Sequence, residues 1–255
     1  MRHTSADRLR PLLAAVLVAT SLAAAAEMQP EAYVFSPIVE QGELEMDNKA
    51  GISRDREGHS AWGASVGMSY GLTSWWAAEL TAKWRRNVGE SAGYDAWEWE
   101  NRFQFTPTGR YAFELGFLLE IERPREHAEG WELNFGPLFQ TEATLAGMPL
   151  QFNFNALFER SWRADEPEPT ELQLQWQLRT RRGGEALDVG LQGFDHFGPW
   201  DDWSPRSKQS HVLGPALFGK LEAAGTEMRW ELGLLFGTGG AAPRTTLRTQ
   251  LEIEF

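Results

Sequence analysis

The chain has no cysteine among its 255 residues, so disulfide bonds and thiolate metal sites are excluded from its fold and its chemistry. Basic residues are also scarce: 24 Lys and Arg stand against 36 Asp and Glu, which gives a formal net charge of −12. Such an acidic chain is a poor partner for nucleic acid, and we expect no nucleic-acid binding.

Long hydrophobic runs are missing beyond the first 26 residues. The start of the chain has a basic stretch, an apolar run over residues 12–22 and an alanine tract over residues 23–26. This order is typical of a secretory signal peptide, and the run is shorter than the roughly 20 apolar residues of a membrane-anchoring helix, the alternative interpretation. We predict a cleaved signal peptide over residues 1–26, a periplasmic N-terminal segment over residues 27–39, and one domain over residues 40–255.

The remaining chain shows a period of two. In "TELQLQWQLRTRR" and "MPLQFNFNALFERSW", which begin at Thr170 and Met148, apolar residues alternate with polar ones. This period is typical of a β-strand between an apolar and a polar medium. Similar segments recur along the chain and predict about twelve strands, an even number that a closed antiparallel transmembrane β-barrel requires. The mean hydropathy of −0.42 fits such a barrel, because only alternate residues face lipid.

The connections between these segments alternate in length. Short ones such as "TPTGR" at Thr106 and "LAGM" at Leu145 carry turn residues, whereas longer charged ones such as "ERPREHAEG" at Glu122 lie between them. We expect the short connections to be periplasmic turns and the long ones to be extracellular loops.

Large aromatic residues are concentrated at the two ends of the expected strands, where a transmembrane barrel carries interfacial girdles. Trp176 lies in the middle of a strand and does not fit this pattern. A soluble β-sandwich or lipocalin-like barrel would also contain many aromatic residues, and periodicity alone does not say which face is inside. The predicted girdle residues are Trp75, Trp76, Trp84, Trp97, Tyr111, Trp131, Trp162 and Trp230.

The last segment, "TLRTQLEIEF", distinguishes these alternatives. Its apolar residues alternate up to the carboxyl terminus at Leu247, Leu251, Ile253 and Phe255. The segment resembles the terminal-strand signal of bacterial outer-membrane β-barrels. The resemblance implies a Gram-negative outer-membrane protein that contacts lipid and lipopolysaccharide and is inserted by the barrel-assembly machinery.

Two shorter stretches carry a finer resemblance. "SPIVEQGELEMDNKAG" from Ser36 and "HVLGPALFGKLE" from His211 are similar to a family of outer-membrane proteins labelled after the meta-pathway of phenol degradation. The resemblance implies a solute channel but does not identify the solute. In the second stretch apolar residues occupy both odd and even positions. The sequence therefore does not say which side chains of residues 212–221 face the lumen.

The polar face of the strands becomes the lumen of the barrel. It combines an acidic wall with an amide wall, and its predicted lining is Glu98, Glu100, Arg102, Glu114, Glu120, Glu132, Asn153, Asn155, Gln173, Gln175, Gln177, Arg229, Glu231, Arg248, Gln250 and Glu252. One interpretation is a narrow channel for passive uptake of small cationic or neutral polar solutes. The alternative is a non-conducting structural or docking barrel whose lumen is filled by Glu–Arg pairs.

Catalytic chemistry is poorly supported. Ser210 and His211 are adjacent, so in a strand they point to opposite faces and cannot form a nucleophile–base pair. A loop metal site could be formed by Asp195, His196, Asp201 and Asp202 with His211, but these residues have no fixed ligand spacing and a solvated loop is the better interpretation. We expect no enzymatic activity, no cofactor and no metal site.

Deletion of Phe255 should impair assembly of the barrel, because the terminal strand must be recognised and then close against the first strand. The measurement is the fraction of protein that is membrane-embedded and heat-modifiable on gels, compared with a Phe255→Tyr variant that keeps an aromatic terminus. Normal assembly of the truncated protein would contradict the prediction.

Overall fold

A computed structural model describes residues 29–181, 187–223 and 225–255; the predicted signal peptide lies outside this range. The described chain forms twelve strands and a one-turn 3-10 helix at His127–Glu129. The strands are β1 Leu44–Arg54, β2 Ser60–Thr73, β3 Trp76–Arg86, β4 Gly93–Gln104, β5 Phe113–Pro124, β6 Trp131–Leu145, β7 Met148–Trp162, β8 Glu171–Thr180, β9 Leu187–Pro199, β10 Ser210–Ala223, β11 Thr226–Gly237 and β12 Thr245–Glu254. Within these described residues, no helix is both long and apolar enough to cross a membrane.

The twelve strands form one closed antiparallel barrel in which each strand pairs with its neighbour in sequence. Closure is made by β1 and β12, whose register runs from Glu45 opposite Glu254 to Arg54 opposite Thr245. The prediction of a closed barrel of about twelve strands is confirmed. The turn "LAGM" joins β6 to β7 with positive φ at Ala146 and Gly147, as in a two-residue hairpin turn that matches strand twist.

The side chains of each strand alternate between a buried polar face and an exposed apolar face. In β4, Glu98 and Glu100 are buried, whereas Trp97 and Trp99 are 37% and 45% exposed. Large exposed apolar residues surround the barrel in this way, so its outer surface is fitted to lipid rather than to water. The polar face is therefore the lumen, and the fold is that of a transmembrane barrel.

The structure also determines the register of β10. Val212, Ala216 and Phe218 are buried in the lumen, whereas Leu213 and Leu217 are exposed on the outer surface. Val212 packs inside the barrel with buried apolar residues of β9 and β11. Because these contacts come from neighbouring strands, the local sequence with its two apolar faces could not decide the register.

Residues 29–40, which we call the lumen segment, lie inside the barrel. This differs from the expected periplasmic position of residues 27–39. The hydroxyl of Tyr33 donates a hydrogen bond to Glu100 Oε2 at 2.8 Å, and the backbone N–H of Val39 donates to Gln104 Oε1 at 2.8 Å. Both acceptors belong to β4, so the segment is bound along the polar wall.

The lumen segment is retained by apolar contacts as well. Phe35 is buried in a cluster with Leu118, Leu138 and Leu157, which project inward from β5, β6 and β7. Ala32 and Val34 pack against a second inward cluster that contains Phe194. A free periplasmic segment would leave these apolar side chains in water, and burying them is favourable by about 1.5–3 kcal/mol for a large side chain.

Glycines on the wall make room for the lumen segment. A Cβ atom at Gly51 would lie 2.0 Å from the carbonyl oxygen of Pro30, and one at Gly71 would lie 1.8 Å from that of Glu40. Any larger side chain at these positions would therefore collide with the backbone of the segment.

Gly51→Val should displace the lumen segment while the barrel still forms, because valine suits a strand but its side chain would overlap Pro30. The absence of cysteine permits a clean measurement: Ala32→Cys should react slowly with a water-soluble maleimide in the parent and several-fold faster in the Gly51→Val background. Gly93→Val is the matched control, because a Cβ atom there would contact only Arg125, at 3.5 Å. Equal labelling rates in all three backgrounds would show that Gly51 does not position the segment.

Candidate functional site

Two cavities in the described part of the lumen are each lined in part by the lumen segment. The first, which we call the acidic cavity, has a volume of about 300 Å³. Its lining includes the carboxylates of Glu31, Glu98, Glu120, Glu122, Glu132, Glu159, Glu168, Glu171 and Asp195, whereas its basic side chains are Lys49, Lys83 and Arg85, with His196 beside them. Carboxylates therefore outnumber lysine and arginine in this cavity.

Two buried lysines partly neutralise the acidic wall. Lys83 forms ion pairs with Glu98 and Glu122, the latter at 2.5 Å. Lys49 pairs with Asp47 at 2.8 Å, and its ammonium group lies 3.6 Å from the centre of the Tyr33 ring. A buried ammonium with such partners is satisfied, whereas removal of one partner would leave an uncompensated charge.

The second cavity, which we call the amide cavity, has a volume of about 500 Å³ and lies towards the short turns. The amide wall that lines it forms a hydrogen-bonded ladder: Asn153 Nδ2 donates to Gln140 Oε1 at 2.9 Å, and Gln151 Nε2 donates to Asn153 Oδ1 at 2.7 Å. Nearby, Gln192 Nε2 donates to Gln177 Oε1 at 2.6 Å. These amides satisfy one another and still line a polar space.

The predicted lining residues project into the lumen, with one exception at its rim. Buried or partly buried on the inner face are Glu98, Glu100, Arg102, Glu114, Glu120, Glu132, Asn153, Asn155, Gln173, Gln175, Gln177, Glu231, Arg248, Gln250 and Glu252. Arg229 is more exposed and contacts Glu227 and Glu254 at the end of the barrel that carries the chain terminus. The roles of these residues in solute passage stay predictions.

The predicted girdle residues lie near strand ends. Trp75, Trp76, Tyr111 and Trp230 are near the short turns, and Trp84, Trp97, Trp131 and Trp162 are near the long loops. Trp176, which did not fit the girdle, covers a glycine of the next strand: a Cβ atom at Gly193 would lie 2.3 Å from its indole. An aromatic ring over a facing glycine is a recognised way of stabilising a strand pair.

The residues of the predicted assembly signal all lie on the outer face of β12 or at its end. Leu247 is exposed, Leu251 and Ile253 are partly exposed, and the terminal Phe255 donates its backbone N–H to Leu44 at 2.9 Å. The terminal residue thus extends the pairing between β12 and β1. Its recognition by assembly machinery stays a prediction.

Several residues that lie in the lumen were not predicted there from the sequence. Tyr33 and Phe35 were assigned to the periplasm, and Leu118, Leu138 and Leu157 were not recognised as inward-facing. Leu118 lies between two other apolar residues. That it faces inward becomes clear only when the alternation of polar and apolar residues is followed along the whole strand. The same alignment could have revealed Leu157, which lies two residues after the inward Asn155 and therefore on the same face.

Glu43 lies just before β1, at the rim of the amide cavity. Burial raises the pKa of this carboxyl to about 7, and the negative charges of Glu45, Glu40 and Glu254 add to the shift. Arg229 opposes the shift from 3.9 Å away. The carboxyl is therefore neutral below neutral pH and charged above it.

No protein-family model and no curated protein matches this sequence. Solved structures share its fold. An outer-membrane channel from Pseudomonas putida F1 is 10% identical with a TM-score of 0.57, over 90% of this chain and 100% of that chain. The β-domain of the Bordetella autotransporter BrkA is 10% identical with a TM-score of 0.54, over 85% and 99% of the two chains.

The NanC porin is a third similar structure, 11% identical with a TM-score of 0.53, over 82% of this chain and 98% of that chain. At these identities the similarity establishes the fold. Together with the apolar outer surface and the closed sheet, it shows that this chain is a transmembrane β-barrel of the outer-membrane type.

Proposed function

We propose that the protein is an outer-membrane channel for small cations and small neutral polar solutes. The observation that carries this proposal is the excess of carboxylates in both cavities. Nine Asp and Glu face three Lys and Arg in the acidic cavity, and seven face five in the amide cavity. In a confined space with little screening, such an excess lowers the energy of cations and raises that of anions.

The lumen segment is the constriction of the proposed channel. Phe35 joins the segment to one wall, while Ala32 and Val34 join it to the other. Solutes must pass beside this segment or displace it. The amide ladder of the second cavity offers donors and acceptors to uncharged polar solutes without a charge penalty. Similarity of fold to a channel and a porin is consistent with this proposal.

A second candidate function, a non-conducting structural or docking barrel, is favoured by the extent of internal pairing. Lys83 holds two glutamates, and Arg248 pairs with Glu231 while donating to Gln192 at 3.2 Å. Such a network stiffens the barrel interior. Absence of single-channel current from the folded, heat-modifiable protein in a planar bilayer would favour this second function over the channel.

Replacing, in each cavity, one carboxylate that forms no ion pair with another described residue should reduce cation preference. At a pH high enough to ionise both carboxyls, we expect Glu45→Gln with Glu132→Gln to lower the cation-to-anion permeability ratio by about twofold or more, because each substitution then removes a negative charge from a confined lumen. The measurement is the reversal potential under a salt gradient. The matched control, Glu57→Gln with Glu126→Gln, removes the same charge from exposed loop positions and should leave the ratio near that of the parent. Anion preference in the parent would overturn the proposal.

Cation preference should also rise with pH through the ionisation of Glu43. Because the pKa of this carboxyl is about 7, its charge is absent at pH values about one unit lower and present about one unit higher. Glu43→Gln should remove this step from a plot of reversal potential against pH, whereas Glu57→Gln should retain it. A step of unchanged size in Glu43→Gln would assign it to another group.

A further inference from the structure

The register of β4 and β5 places like charges directly opposite one another. Glu98 faces Glu122, and Glu100 faces Glu120, in successive inward positions of the two strands. All four side chains are buried. Carboxylates opposed in this way repel each other, and within the barrel water screens that repulsion poorly. Such an arrangement requires positive charge close by or a proton on one carboxyl of each pair.

The first of these two pairs has its positive charge. Lys83 from β3 reaches across β4 and forms ion pairs with both Glu98 and Glu122. The ammonium group therefore lies between the two opposed carboxylates and offsets their repulsion. In this pair each carboxylate is in contact with a positive charge, although the three groups together keep one negative charge.

The second pair is not complete. Glu100 accepts a hydrogen bond from Tyr33 and pairs with Arg102 at 3.1 Å. Glu120, in contrast, makes no hydrogen bond or ion pair with any residue in the described parts of the chain, although it is only 8% exposed and lines the acidic cavity. With all groups ionised, the four glutamates, Lys83 and Arg102 leave two negative charges unbalanced.

The spacing of the carboxylates suits a hard divalent cation. One oxygen each of Glu98, Glu100 and Glu120 lie within 4.8 Å of one another. Calcium binds oxygens at about 2.3–2.6 Å, so two ligands on opposite sides of one ion are about 5 Å apart. Three carboxylates with no histidine or thiolate among them form a donor set that suits hard cations such as Ca²⁺, Mg²⁺ and Mn²⁺.

A second observation comes from the lumen segment. Glu31 is buried, and neither of its carboxylate oxygens accepts a hydrogen bond from another described residue. It lines the same acidic cavity as Glu120, but it belongs to a different part of the chain. An unpaired buried carboxylate is costly unless a cation or water satisfies it, so a second carboxylate of this cavity lacks a hydrogen-bond partner among the described residues.

From this geometry we infer that Glu98, Glu100 and Glu120 bind one divalent cation, Ca²⁺ in preference to Mg²⁺, at the wall of the acidic cavity, which Glu98 and Glu120 line. The ion would share ligands between β4 and β5 and complete the uncompensated pair, with water filling its remaining positions. Because Tyr33 is hydrogen-bonded to Glu100, the site also lies directly against the lumen segment. The inference concerns binding alone and does not depend on whether the barrel conducts.

The test is calorimetric titration of the folded, chelator-treated protein in detergent with CaCl₂ and separately with MgCl₂. We expect one Ca²⁺ site in the parent, and in Glu120→Gln a loss of affinity of about tenfold or more. The matched control is Glu114→Gln. Glu114 lies on the same strand and the same inward face and is also 8% exposed, but it is outside the cluster. Its substitution should leave Ca²⁺ affinity near that of the parent.

A second measurement keeps the test independent of folding defects. Ca²⁺ should raise the temperature at which the parent and Glu114→Gln lose their heat-modifiable form, and it should have no such effect on Glu120→Gln. Without Ca²⁺, Glu120→Gln should be at least as stable as the parent, because a repulsive charge has been removed. Terbium should report the position of the site, since emission sensitised by Tyr33 should be lost in Tyr33→Phe.

Three results would overturn the inference. The first is no binding of either metal by the parent at millimolar concentration, as expected if Glu120 carries a proton instead. The second is binding by Glu120→Gln with parental affinity, which would place the ion elsewhere. The third is equal loss of affinity in Glu114→Gln and Glu120→Gln, which would assign binding to the general negative potential of the lumen.

Discussion

The pairing of β12 with β1 is the constraint on which the rest of this structure depends. Inside a bilayer no water is available to satisfy backbone N–H and C=O groups, so a sheet can cross only if it has no open edge. The ten register pairs from Glu45 opposite Glu254 to Arg54 opposite Thr245 remove that edge. Once the sheet is closed, alternate side chains must face either lipid or a common interior. Closure therefore creates the lumen and concentrates charged side chains there.

Concentrating charge in this way has consequences that a flat sheet would not have. Opposed glutamates such as Glu100 and Glu120 would be screened on a water-facing surface, but in the lumen they need specific partners. Some partners come from neighbouring strands, as Lys83 does. Others come from the lumen segment, whose Tyr33 contacts both Glu100 and Lys49. The segment is thus part of the electrostatic structure of the barrel as well as an obstacle within it.

Much of the fold could be predicted because the information is local. A period of two places Gln173, Gln175 and Gln177 on one face without any knowledge of their neighbours, and the structure has them on the inner face. The position of the lumen segment could not be predicted in the same way. Its binding site for Phe35 is assembled from Leu118, Leu138 and Leu157, single residues on three successive strands that all lie far from Phe35 in the sequence. No local pattern marks such a site.

By itself, the sequence determined the number of strands, the composition of their two faces and the acidic character of the polar face, because side-chain alternation is a property of each strand alone. Only the tertiary structure decided which side chains of β10 faced the lumen and which glutamates stood opposite one another. These features depend on register and closure, and a shift of one residue between strands would change every cross-strand partner. The position of residues 29–40 in the lumen also depends on the tertiary structure, because the barrel must be closed before it has an interior.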